Sequence, residues 1–296
     1  MKAFQSPLRY PGGKASLADF VEGCIRENLL NGGDFIEPYA GGAGLSLALL
    51  SRGVIERAFL VEKDPLVYAF WKSVVAHPDE LCDKIYSIPV TLDAWRRFQK
   101  YKHPEALKKY SIVELGLACI FLNRTNFSGI LDANPIGGMS QSSDYTLDCR
   151  FNKERITKLI MNIAALKGAI IISNRDAITY LRNSETRILK RASLVYIDPP
   201  YYGQGKKLYR YYYNWAQHAR LAKFIEGRAY PWLISIDAHP DIRALYSSQK
   251  VTPIFLKYAV KQSRRAEELI ITNLRHLPMI EHEKVAVEKS KDIVNW

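Results

Sequence analysis

Seven short runs of β-branched and aromatic residues recur along this 296-residue chain, with helical patterns between several of them. The runs cover residues 34–37, 58–62, 169–174, 194–198, 232–237, 252–258 and 268–272, and the crossover helices are expected at 44–51, 153–166, 176–183 and 218–226. Alternation of that kind selects an α/β architecture built on one sheet. The rhythm breaks between residues 71 and 149. Helical patterns at 77–85, 91–102 and 113–123 are followed there by a polar, Gly-rich stretch, 123–148. The expected organisation is a core made of residues 1–70 and 150–296, with a mainly helical module, 71–149, inserted between the second and third strands.

Residues 194–203 read Leu-Val-Tyr-Ile-Asp-Pro-Pro-Tyr-Tyr-Gly. Proline pushes the residue before it into an extended conformation, so Asp198 continues the strand and the chain turns just after it. Neither Pro199 nor Pro200 has an N–H, which leaves carbonyls at the turn to accept hydrogen bonds from a ligand. The arrangement suits a planar base whose exocyclic amine must act as a nucleophile. Its two N–H bonds would be accepted by the Asp198 carboxylate and the Pro199 carbonyl, freeing the nitrogen lone pair. Tyr201 is placed to stack on the base, a contact of roughly 1–3 kcal/mol. The bland alternative is an ordinary strand end followed by a turn.

A net charge of +12 favours a polyanionic partner, and 18 tyrosines among basic residues suit bases and phosphates together. Segment 1–13 is polar and proline-punctuated and the apolar runs are short, so neither a signal peptide nor a membrane span is expected. Cys24, Cys82, Cys119 and Cys149 are scattered without a C-x-x-C pair, which indicates neither a disulfide framework nor a zinc site. A reducing cytoplasm is the expected location. Oligomeric state is open, a monomer being compatible.

A second site is expected where Phe35-Ile-Glu-Pro38-Tyr39-Ala-Gly41-Gly42-Ala-Gly44 leaves a strand and opens a helix. Glycines there let a ligand approach the backbone, although the G-x-G-x-x-G spacing is absent. Glu62 ends the next strand and is placed to take both hydroxyls of a ribose, with Asp64 as its rival. Asp176 closes a third strand and either accepts an adenine amino group or caps the following helix. In the loop Leu8-Arg9-Tyr10-Pro11-Gly12-Gly13-Lys14, the lysine is placed to neutralise a cofactor carboxylate and Tyr10 to line its pocket. A phosphate-loop reading fails, because no G-x-x-x-x-G-K-[ST] spacing is present and no strand precedes the loop.

Taken together and in this order, Tyr10-Pro-Gly-Gly-Lys14, Phe35 to Gly44, Glu62, the insertion, Asp176 and Asp198-Pro-Pro-Tyr201 resemble the Dam-type (D12 class) DNA adenine-N6 methyltransferases. The late run Glu268-Leu-Ile-Ile-Thr-Asn273 resembles the family's final sheet hairpin. The resemblance implies a Rossmann-like, seven-stranded methyltransferase sheet with S-adenosylmethionine as donor and S-adenosylhomocysteine as product. It further implies double-stranded DNA as partner, a target adenine flipped from the duplex, direct methyl transfer and no metal. By this carry-over Tyr10, Lys14, Pro38, Tyr39, Gly41, Gly42, Glu62, Asp176 and Asp198 contact the cofactor. Asp198, Pro199, Pro200 and Tyr201 form the catalytic turn. A bacterial or phage origin fits, and restriction-linked and regulatory roles both stay open.

The stretch Phe121-Leu-Asn-Arg124-Thr-Asn126-Phe-Ser-Gly129 resembles one that ends in the family's DNA-reading loop, so Arg124 and Asn126 are expected at DNA. Asp132 stands where members that methylate GATC tend to carry arginine. An aspartate can only accept hydrogen bonds, for example from cytosine N4, so GATC specificity is not expected. Ala177 departs similarly, replacing a frequent phenylalanine. The run Lys206-Lys207-Leu-Tyr-Arg210-Tyr-Tyr-Tyr-Asn214 contains no acid and is expected to contact DNA beside the catalytic turn, whereas 95–102 reads as a helix with one solvated face. Two other readings remain: methylation of cytosine N4 on the same fold, and a DNA-binding descendant without catalysis.

Overall fold

Phe35 and Ile36, adjacent on one strand, are fully buried in two different apolar clusters. Leu194 and Tyr196 likewise join one cluster while Val195 and Ile197 join the other. The period-2 alternation therefore places a core on each face of the sheet, as parallel strands covered on both sides require. In the computed structural model, which describes residues 4–10, 12–257 and 265–278, seven strands form that sheet. They are β1 (Asp34–Glu37), β2 (Arg57–Val61), β3 (Ile170–Ser173), β4 (Ser193–Ile197), β5 (Trp232–Asp237), β6 (Lys250–Lys257) and β7 (Arg265–Thr272). Their spatial order is β3-β2-β1-β4-β5-β7-β6. The pairings from β3 through β5 are parallel, and β7 runs antiparallel to both β5 and β6. All seven expected strands are present within a few residues of their expected ends. Pro11, Tyr258 and the segments 1–3, 259–264 and 279–296 lie outside the described residues.

The helices begin where side chains can accept the otherwise orphaned N–H groups of a first turn. Asp64 accepts from Leu66 N to open Pro65–Ala76, and Asp176 from Thr179 N to open Ala177–Leu189. Reciprocal capping boxes open Ile112–Thr125 (Ser111 with Glu114) and Trp215–Glu226 (Asn214 with Gln217). The helix Gly44–Ser51 lies where expected, while Ala18–Glu27 and Pro65–Ala76 are helices not expected from the sequence.

The expected module boundary at residue 71 falls inside the helix Pro65–Ala76. Trp71 is fully buried and its Nε1 donates to Gly41 O at 2.8 Å, so that helix belongs to the core. The stretch beyond it, with helices Pro78–Ser87, Leu92–Gln99, Pro104–Lys109 and Ile112–Thr125, buries Trp95, Phe98 and Phe121 in the same cluster as Phe35 and Tyr196. It extends one face of the sheet and has no separate core. Among the described residues, no helix is long and apolar enough to cross a membrane.

Candidate active site

Strand order reverses at β1, with β2 on one side and β4 on the other, and in open α/β sheets ligands bind at the carboxyl ends of such strands. A cleft of about 800 Å³, counting its open mouth, lies there. Its walls include Tyr10, Lys14, Pro38, Tyr39, Gly41 and Gly42, together with Glu62 and Asp198. The sequence-predicted cofactor residues are thus brought together, with one exception. Asp176 is absent from the walls, where its neighbour Ala177 stands.

The turn after β1 is shaped by close packing. Gly41 has φ +45°, and a Cβ there would lie 2.5 Å from the Tyr10 ring. Any other residue would have to displace that ring and adopt a left-handed conformation. Gly41 O accepts from Trp71, and Gly41 N donates to Glu62 Oε2 at 2.9 Å. Glu62 Oε1 accepts from Asp64 N at 2.8 Å, and Asn174 Nδ2 donates to Glu62 O at 2.7 Å. The carboxylate expected at a ribose is therefore locked in orientation at the end of β2. Burial, reinforced by the Asp64 charge, pushes its pKa up to about 7. Glu37, which closes β1, accepts from the Ser46 hydroxyl and is pushed by burial up to about 8.

The two rival acids have structural duties. Asp64 caps its helix and is held by Arg210, whose Nη1 lies 3.1 Å from Oδ1. Asp176 caps its helix and has Arg220 at 3.5 Å and Lys63 at 3.9 Å. The helix cap weighed for Asp176 is present.

At the end of β4, Asp198 faces into the cleft, and Lys14 Nζ donates to its Oδ1 at 2.7 Å. Lys14 is thus paired with the acid of the catalytic turn, a contact not foreseen from the sequence. Burial raises the Asp198 pKa to about 6, against the lowering effect of Lys14 and with a further rise from Glu268. Ser235 Oγ on β5 lies 3.4 Å from the same oxygen and 2.6 Å from the Tyr196 hydroxyl. Tyr201 Oη accepts from Lys14 Nζ at 3.2 Å and donates to Glu268 Oε1 at 3.0 Å. Pro200 lines the cleft beside Asp198, while Pro199 is buried in the turn. Asp237, closing β5, holds the chain beyond by accepting from Tyr202 N at 2.9 Å and Gly203 N at 3.0 Å.

The residues expected at DNA divide sharply. Lys206 and Lys207 are exposed on the short helix Gly205–Leu208, and Tyr211, Tyr212 and Trp215 are exposed nearby. Asn126 must be withdrawn: it is fully buried, its Oδ1 accepts from Trp95 Nε1 at 2.6 Å, and its Nδ2 donates to Ile130 O and Leu131 O, both at 2.9 Å. Arg124 is only partly buried. Its Nε donates to Pro7 O at 2.7 Å, and burial lowers its pKa to about 10. Arg210 is turned inward, lining the cleft and donating to Asp64 and to Lys102 O. Asp132 keeps about half of its side chain exposed, 2.9 Å from Lys102 Nζ and 3.7 Å from Arg210 Nε.

Several site residues were missed by sequence reading. Tyr209, Tyr211 and Tyr213 line the cleft from the segment after the catalytic turn, and Tyr213 Oη accepts from Tyr39 at 2.9 Å. The crowding of tyrosines at 209–213 was a usable signal for that wall. Glu37, Asp237 and Glu268, each at a strand end or on the antiparallel strand, carried no local signal. Among the described residues, no group of three or more His, Cys, Asp or Glu side chains is gathered for a metal ion.

Residues 10–260 match the sequence profile of the family described as D12 class N6 adenine-specific DNA methyltransferase. No curated protein matches the chain. Among solved structures, it is similar to one described as "Putative methyltransferase yhhF from Escherichia coli", at 12% identity and a TM-score of 0.35, covering 91% of this chain and 90% of the other.

Proposed function

This chain belongs to the D12 class N6 adenine-specific DNA methyltransferase family, and we propose that it transfers a methyl group from S-adenosylmethionine to adenine N6 in double-stranded DNA, acting on a base flipped out of the duplex. The observation that carries this reading is the shared cleft. The Asp198 carboxylate at the end of β4 opens into the same space as the Gly41 turn and Glu62.

The residues present fit the cofactor. The Gly41–Gly42 turn lines the cleft, and the absence of side chains there leaves room for the Tyr10 ring that forms a neighbouring wall. Glu62, already oriented by two backbone N–H groups, would accept the ribose hydroxyls. Tyr10, Pro38, Tyr39 and Ala177 would supply apolar walls for the remainder, and Lys14 a buried cation for its carboxylate. When bound, S-adenosylmethionine supplies a methyl group activated by its sulfonium.

Every other role falls to the chain itself. Asp198 accepts one N–H of the target amine and the Pro199 carbonyl accepts the other, which turns the nitrogen lone pair out of conjugation. Asp198 is also placed to receive the proton that the amine gives up. Holding the amine nucleophile in line with the methyl donor would supply much of the advantage, as it does in other two-substrate transfers. The Tyr201 ring, tethered through its hydroxyl, borders the base. Lys206, Lys207 and the exposed tyrosines would contact the DNA backbone and bases. The inserted region beyond Ala76 would read the sequence, with Asp132 as one exposed acceptor.

Asp198→Ala tests the reading. Methyl transfer to DNA should fall by at least about 1,000-fold, while calorimetric binding of S-adenosylmethionine should change little. Undiminished turnover in that variant would remove Asp198 from the centre of the mechanism.

A further inference from the structure

The antiparallel strand β7 brings one more carboxylate to the site, from far outside the catalytic turn. Tyr196 and Ser235 share one face of the sheet, joined by a hydrogen bond between their hydroxyls. Ser235 pairs in register with Ile270, and Asp237 with Glu268. Side chains alternate along a strand, so Glu268 emerges on this same face, two residues closer to the ends where the cleft opens. It is 2% exposed. Its Oε1 accepts from the Tyr201 hydroxyl at 3.0 Å and lies 3.4 Å from Lys14 Nζ.

Lys14, also almost wholly buried, therefore stands between two carboxyl groups, 2.7 Å from Asp198 and 3.4 Å from Glu268. A plain structural ion pair would need only one of them. Among the described residues Lys14 is the ammonium that both acids face, and burying the second acid carries a desolvation cost. Here the second acid meets both side chains that flank the proposed amine acceptor: the lysine bonded to Asp198 and the tyrosine three residues after it.

We propose that Glu268 is a positioning residue, which holds the Lys14 ammonium and the Tyr201 hydroxyl so that Asp198 presents one oxygen to the target amine. The inference rests on the methyl-transfer function proposed above. Glu268 is not among the residues that line the cleft and would act through Lys14 and Tyr201. Its charge also opposes that of Lys14 at Asp198, one raising and the other lowering the affinity of that carboxylate for a proton.

Glu268→Gln keeps the shape and a hydrogen-bond acceptor for Tyr201 but removes the charge facing Lys14. In single-turnover assays on duplex DNA, the expected result is a transfer rate about 10- to 100-fold lower, with KM for DNA and for S-adenosylmethionine within about 3-fold of wild type. The acidic limb of the pH–rate profile should move to lower pH, because a charge that raises the Asp198 pKa has gone. Tyr201→Phe removes the other end of the contact without touching the carboxylate, and the combined variant should lose less than the product of the two single losses. An unchanged rate and pH profile in Glu268→Gln overturns the inference while leaving the methyltransferase reading intact. Should Glu268→Gln fail to fold, a Tyr201→Phe variant of wild-type rate overturns it equally. A wild-type chain that transfers no methyl group to DNA overturns both.

Discussion

Lys14 Nζ lies 2.7 Å from Asp198 Oδ1, joining two residues 184 positions apart in the chain. The lysine comes from the loop before the first helix and the aspartate from the end of β4, so the contact forms only once the sheet is assembled. It offsets part of the desolvation that holds the Asp198 pKa at about 6.

In the proposed mechanism transfer requires Asp198 as a carboxylate, so the rate should rise with pH through about 6 and level off above it. Lys14 lowers that pKa, and Lys14→Met should move the acidic limb upward by about one pH unit or more. Single-turnover rates at saturating donor, measured from about pH 5 to about pH 9, check both statements. A limb that stays in place after removal of Lys14 contradicts them.

In the proposed function Glu62 would bind the ribose hydroxyls best when ionised, and burial raises its pKa to about 7. Affinity for S-adenosylmethionine should therefore increase as pH rises through about 7, with release of a proton on binding below that point. Glu62→Gln should weaken binding about 10-fold or more and abolish the proton release. Calorimetry in two buffers of different ionisation enthalpy measures both effects.

Lys206 and Lys207 are exposed, and in the proposed function they would meet phosphates. Log affinity for DNA should fall linearly with log salt, and each lysine replaced by alanine should reduce the slope by roughly 0.9. Fluorescence anisotropy with a labelled duplex over roughly 50–300 mM salt provides the test, and an unchanged slope in the double variant would place the phosphates elsewhere.

Asn126 tells the opposite story. Alanine there would strand Trp95 Nε1 and the carbonyls of Ile130 and Leu131 without their partner. The expected effect is a loss of roughly 2–5 kcal/mol of stability, read as a lower Tm and urea midpoint. Loss of DNA binding with an unaltered Tm would return Asn126 to the interface.

The strands were legible because each is a short apolar run with a turn signal at its end, and the catalytic turn because two prolines follow a carboxylate. The helix Pro65–Ala76 was not, since Leu66, Val67, Ala69, Phe70, Trp71 and Val74 are buried around it and leave no amphipathic stripe to detect. Asn126 was misplaced for a related reason. Its partner Trp95 lies 31 residues away, and no local pattern distinguishes a polar side chain that bonds within the interior from one that faces solvent. Glu268 met Lys14 only through the antiparallel register of β7, which depends on strand order and has no signature in the run itself.

Adenine is the target in this account, and cytosine N4 presents the same kind of amine to the same turn. The most direct test incubates duplex DNA with the chain and S-adenosylmethionine, digests the product to nucleosides and separates them by mass-resolved chromatography. The account predicts N6-methyladenine as the modified nucleoside, absent when Asp198→Ala replaces the wild type. N4-methylcytosine in its place, or no methylated nucleoside at all, would contradict it.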